Sequence, residues 1–125
     1  MNLVLDAGAL IGIDRDDRRT AGLIELGRRS GAALVTTAPV VAQAWRGSAR
    51  QARLARLLGM IDVRSAHLAE ARAAGELLAA AGTADVVDAL LVLLAVPGDQ
   101  LLTGDLDDLK TLVGERGIPV TVVRI

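Results

Sequence analysis

The feature that most constrains this chain is an alternation of short apolar runs with longer helical stretches, most of them closed by glycine or proline. Residues 2–5 read as a buried strand, short, apolar and β-favourable at Val4. A brief helix is expected from about Ala9, and a second from Arg18 to Arg29, ending at Gly31. Ala33–Thr36 is the next strand. Pro39 suits the first turn of a helix that runs, with a break at Gly47-Ser48, towards Leu58. Met60–Val63 reads as a third strand, and Ala66–Ala81 as a helix stopped by Gly82. Asp85–Val96 is another helix, terminated by Pro97-Gly98. Leu101-Leu102 forms a fourth strand, Asp107–Arg116 a helix ended by Gly117, and Val120–Val123 a last strand. The pattern predicts an α/β fold in three layers, α/β/α, with a mostly parallel central sheet of about five strands. Residues 1–125 form a single domain in this scheme.

Composition removes several function classes. Cysteine is absent, which excludes disulfides, thiolate metal sites and thiol nucleophiles. The only histidine, His67, argues against a His-rich zinc site or a His-dependent triad. An apolar fraction of 52% is high, yet no run reaches the ~18–20 residues of a membrane span. Asp6 interrupts the first apolar segment, so no cleavable leader is expected and the cytoplasm is the default location. A net charge of −1 supplies no global attraction for nucleic acid. Binding of that kind needs a local patch, and the lack of Phe and Tyr removes the usual stacking platforms.

The chemistry resides in aspartates. Asp6 closes the first strand and is followed by the small residues Ala7, Gly8 and Ala9. Late in the chain Gln100–Thr103 leads in the same way to Gly104-Asp105. In open α/β sheets ligands bind beyond the carboxyl ends of the strands, so two such aspartates suggest a site. The helix after Gly82 is apolar nearly all round, apart from Asp85 and Asp88 on one face. First-turn acids offset a helix dipole, which suffices for Asp85. Asp88 lies on a face continuing into Leu91, Val92 and Ala95, where a carboxylate requires a cation or a polar cluster. Asp105, Asp107 and Asp108 form the remaining acidic group, and an ordinary helix cap is the plainer account of Asp105. In a doubly wound sheet Asp6, Asp88 and Asp105 would share one edge. Crowded carboxylates repel by about 4 kcal/mol per close pair at an effective dielectric of about 20. A hard divalent cation relieves that repulsion, which points to metal-assisted hydrolysis of a phosphodiester.

Leu3–Ile11, Val86–Leu90 and Leu101–Leu109 together resemble the PIN domain, and within it the VapC-type toxins of bacterial toxin–antitoxin pairs. The resemblance covers essentially the whole chain. It implies a PIN-like fold and a ribonuclease dependent on Mg²⁺ or Mn²⁺. Asp6, Asp88 and Asp105 would be its catalytic metal ligands, Asp108 a fourth acid, and Thr103 a supporting hydroxyl. It further implies RNA such as tRNA as substrate, a VapB-type antitoxin as inhibitor, homodimerisation and no membrane. One position departs from the pattern: Gln43 stands where the family usually has glutamate. Asp85 is a candidate to compensate for the missing charge.

Arg46, Arg50 and Arg53, with Arg56, would span an arc of roughly 120° on a continuous helix, a row suited to RNA phosphates. Arg15, Arg18 and Arg19 form a second cluster closer to the acidic edge. Trp45, the sole aromatic, is expected to pack rather than stack on bases. The alternative function is a PIN-like RNA- or protein-binding module with a weakened or inactive metal site, and Gln43 is its main support. A receiver domain is set aside because the only lysine, Lys110, falls in a helix, and a haloacid-dehalogenase-type phosphatase because Gly8 replaces the second aspartate.

Overall fold

The computed structural model describes residues 1–125. Five strands, β1 (Asn2–Leu5), β2 (Ala33–Thr37), β3 (Asp62–Arg64), β4 (Gln100–Thr103) and β5 (Thr121–Arg124), form one sheet in the order β3-β2-β1-β4-β5. Every pairing is parallel, with Val4 opposite Val35 on one side and Leu101 on the other. The chain steps outward from β1 to β3, then returns to lay β4 against the other side of β1. That reversal makes the β1/β4 seam the topological switch point, where such sheets bind ligands.

Seven helices cover the sheet: α1 (Ala7–Asp14), α2 (Arg18–Arg29), α3 (Ala38–Ala44), α4 (Ala52–Leu58), α5 (Leu68–Ala81), α6 (Val86–Leu94) and α7 (Leu106–Arg116). Right-handed crossovers send the helices before and after the reversal to opposite faces. Accordingly α1 packs with α2, α3 and α4, while α5, α6 and α7 pack with one another. Leu3, Val4 and Leu5 of β1 are all buried, as expected of a strand covered on both sides. Within α6, Ala89, Leu90, Leu91 and Val92 are buried. Its end is tied to α7 by the Arg116 guanidinium, which donates to the carbonyls of Val92 and Ala95. No single helix is long and apolar enough to cross a membrane.

Two expectations need correction. The third strand begins at Asp62 rather than Met60, because Met60 N–H donates to Leu57 O (2.9 Å) and prolongs the turn that ends α4. The break in the long helix is larger than Gly47-Ser48. Gln51 is buried, and its side-chain oxygen accepts from the backbone of Arg46 (2.8 Å) and Gly47 (3.1 Å). Those amides are thereby drawn out of a helical ladder. Gly47 takes φ +74°, a conformation glycine adopts at little cost. Arg46 therefore lies between helices, Arg50 lies in a 3₁₀ turn (Ala49–Gln51), and only Arg53 and Arg56 share α4. The expected arginine row on one helix does not exist. Trp45 follows α3 and is 38% exposed.

One buried acid belongs to the scaffold. Asp99, just before β4, is 1% exposed and accepts from Asn2 N (2.8 Å), Asn2 Nδ2 (3.3 Å) and Val96 N (2.9 Å). It fixes the start of β1 against the start of β4 and so sets the register of the seam. Asp99→Ala strands two backbone donors, and its expected cost is about 2–4 kcal/mol. Urea unfolding should show a lower midpoint at unchanged m.

Candidate metal centre

Asp6 leaves β1 in extended backbone and caps α1, its Oδ1 accepting from Ala9 N at 3.0 Å. Its Oδ2 accepts from the Thr103 hydroxyl and, at 3.2 Å, from Gly104 N. Thr103 is fully buried at the end of β4, and its hydroxyl oxygen in turn accepts from Asp105 N at 2.8 Å. One hydroxyl thus joins the carboxylate after β1 to the backbone of the acid after β4. A hydroxyl has one proton to give, and here it goes to the Asp6 carboxylate.

The seam closes only because residue 8 is glycine. A Cβ at Gly8 would stand 2.9 Å from Gly104 N and 3.1 Å from Asp6 Oδ1. The first turn of α1 therefore lies directly on the turn from β4 to α7. This contact was not foreseen from sequence, although a glycine two residues after a strand-ending aspartate is a signal for it.

Asp88, Asp105 and Asp108 offer carboxylate oxygens that all lie within 4.8 Å of one another. Asp88 comes from the first turn of α6, and Asp105 and Asp108 from the start of α7. Asp105 occupies a cap position but makes no capping hydrogen bond; its carboxylate instead shares a hydrogen bond with Asp108. Asp85 does cap α6, accepting from Asp88 N at 3.0 Å. Asp6 stands outside the group of three, though its charge reaches Asp88. Gln43 is exposed on α3.

No cation answers these charges. The ion pairs join Glu25 with Arg28 and Arg29, Asp16 with Arg53, and Asp62 with Arg64, and none includes a member of the cluster. The energetic consequence falls on Asp88, which is pushed up to about 7 by burial first and then by the charges of Asp85, Asp6, Asp105 and Asp108. Burial also raises Asp6, against the opposing hydrogen bonds from Thr103 and the backbone. Asp108 is raised by sharing a hydrogen bond with Asp105 and by that neighbour's charge. An all-oxygen, anionic and half-open donor set suits a hard divalent ion that keeps several waters. The residues present fit Mg²⁺ or Mn²⁺.

The metal-free protein should reveal this strain. An acid whose folded pKa is raised stabilises the fold below its unfolded pKa and loses that contribution as pH climbs through the folded value. In EDTA the melting temperature should therefore fall between about pH 4 and about 7, the window of Asp88. Asp88→Asn should flatten that fall and melt above wild type at pH 7.5. A wild-type curve already flat across this range would contradict the crowding.

No family model matches the chain, and no curated protein matches it. Among solved structures, one of VapBC2 from Rickettsia felis bound to a DNA fragment from its promoter matches with a TM-score of 0.68. The match covers 100% of this chain and 99% of that one at 14% sequence identity, so the two share a fold. The architecture is the PIN-like α/β/α expected from the sequence, with all five strands parallel.

Proposed function

We propose that this protein is a metal-dependent endoribonuclease of the VapC kind, acting in the cytoplasm and restrained by a VapB-type antitoxin. The observation that carries this reading is the convergence of Asp88, Asp105 and Asp108 beside buried Asp6, at the switch point and with no arginine or lysine paired to them. The fold shared with a VapBC2 structure supports the nuclease class and the antitoxin partner. Homodimerisation and a tRNA substrate belong to the same proposal.

Asp88, Asp105 and Asp108 would hold Mg²⁺ or Mn²⁺, with Asp6 beside them. When bound, such an ion lowers the pKa of a water and stabilises the departing oxygen of a phosphodiester. The protein's own part is positional. Thr103 keeps Asp6 oriented and anchors the backbone of Asp105. Asp85 fixes the first turn of α6 and adds charge that favours a cation. Asp88 gives up its proton near neutrality, so metal loading weakens as pH falls below about 7.

Purified protein should cut RNA in Mg²⁺ or Mn²⁺ and not in EDTA. Asp105→Asn, at an exposed position, should lower the rate by roughly a hundredfold or more while remaining folded. Folded, antitoxin-free protein that leaves total RNA and tRNA intact with every metal would instead support the binding module.

Gln43 supplies the separate test of that alternative. Converting Gln43 to Glu should tighten Mg²⁺ or Mn²⁺ binding in calorimetry, because it restores a negative oxygen donor. Unchanged or weaker affinity would remove residue 43 from the metal's surroundings.

A further inference from the structure

Beside the acidic centre lies an open groove of about 720 Å³. Gly8 and Gly104, neighbours in sequence of Asp6 and Asp105, line it together with Ile11, Ile125, Arg15 and Arg18. Two aspartates also border it, but both are engaged. Asp17 accepts from Thr20 N (2.9 Å) and Thr20 Oγ1 (2.6 Å), and Asp16 pairs with Arg53 at 3.4 Å. Arg15 and Arg18 join none of the chain's ion pairs. The groove thus presents two guanidinium groups without a side-chain partner, beside one carboxylate paired with Arg53 and one that is held by Thr20 and remains charged.

The arginines between α3 and α4 are differently placed. Arg46 donates to the carbonyls of Ala42 (3.1 Å) and Trp45 (2.8 Å), and Arg53 is the partner of Asp16. Of the three arginines first assigned to RNA, only Arg50 remains free.

We propose that this groove is the track for a single RNA strand, with Arg15 and Arg18 gripping backbone phosphates outside the scissile bond. This rests on the nuclease reading of the adjoining centre. Asp6 and Arg15 flank α1 at opposite ends, so one helix of about 12 Å lies between their backbones. With no aromatic side chain among the lining residues, the grip is electrostatic and indifferent to base identity.

The test is binding of a fluorescein-labelled single-stranded RNA 12-mer of mixed sequence, in EDTA so that it stays intact, over a range of salt. Arg15→Gln with Arg18→Gln should weaken binding by roughly tenfold or more. It should also reduce the slope of log affinity against log salt by about 1.4, or about 0.7 per lost phosphate contact. Arg46→Gln with Arg50→Gln should leave both nearly unchanged. All four side chains are exposed, so matching melting temperatures serve as the folding control. Wild-type slope in the Arg15/Arg18 variant, loss confined to the Arg46/Arg50 variant, or no salt-dependent binding by wild type would each overturn the proposal. Cleavage in Mn²⁺, measured in parallel, separates the two readings. Cutting with unchanged KM in the Arg15/Arg18 variant removes the track alone, whereas Arg15/Arg18-dependent binding without cutting by wild type removes the nuclease alone.

Discussion

The hydroxyl of Thr103 is the joint on which the site depends. It donates to the carboxylate that ends β1 and accepts from the backbone that starts α7, across the seam where the sheet reverses direction. Everything else about the acidic centre follows from that junction being closed. Gly8 permits the backbones to meet, Asp99 sets the two strands in register at their other end, and the buried leucines of β1 and β4 hold them in place. A seam pinned at both ends can carry an electrostatically unfavourable group at its rim.

The unfavourable group is assembled mostly by helix N-termini. Asp6 caps α1, Asp85 and Asp88 open α6, and Asp105, Asp107 and Asp108 open α7. Each placement is individually favourable, since the positive end of a helix dipole attracts an anion. Their convergence is not, and the cost appears as the proton Asp88 retains to about pH 7. At the far end of the same helix pair, Arg116 binds the last carbonyls of α6 from the last turn of α7. Its own burial lowers its pKa, a sign that the guanidinium is partly withdrawn from water to make this tie. Two helices repelling at their N-termini are thus clasped at their C-termini.

Much of this was legible in the sequence because it rests on local rules. Strand runs before Asp6 and Asp105, a helix apolar on all sides except at Asp85 and Asp88, and glycine or proline stops gave the sheet and the acidic edge. What escaped notice depends on contacts between distant residues. No local rule announces that Gln51 will withdraw the amides of Arg46 and Gly47 from a helix, yet that single side chain dissolves the arginine row. Nor does spacing reveal that Asp16 and Asp17 are spent on Arg53 and Thr20, leaving Arg15 and Arg18 unanswered. The plain account of Asp105 as a cap also needed the structure to correct it, since only coordinates show that its carboxylate makes no bond to the helix amides.

Gln43 acquires a different meaning against this background. Read from sequence alone, a glutamine in place of glutamate suggests a failing site. The structure shows five carboxylates, Asp6, Asp85, Asp88, Asp105 and Asp108, already charging one rim, and one of them half-protonated near neutrality. A further negative charge close by would raise Asp88 higher in the metal-free protein and deepen the cost of holding the seam together. A neutral oxygen donor at the rim would avoid that cost while keeping an atom able to face a cation or a water. The physical trade is between affinity for the ion and stability without it, a compromise common where function requires like charges to be held together. Glutamine at position 43 is therefore as consistent with a working centre relieved of excess repulsion as with a decayed one.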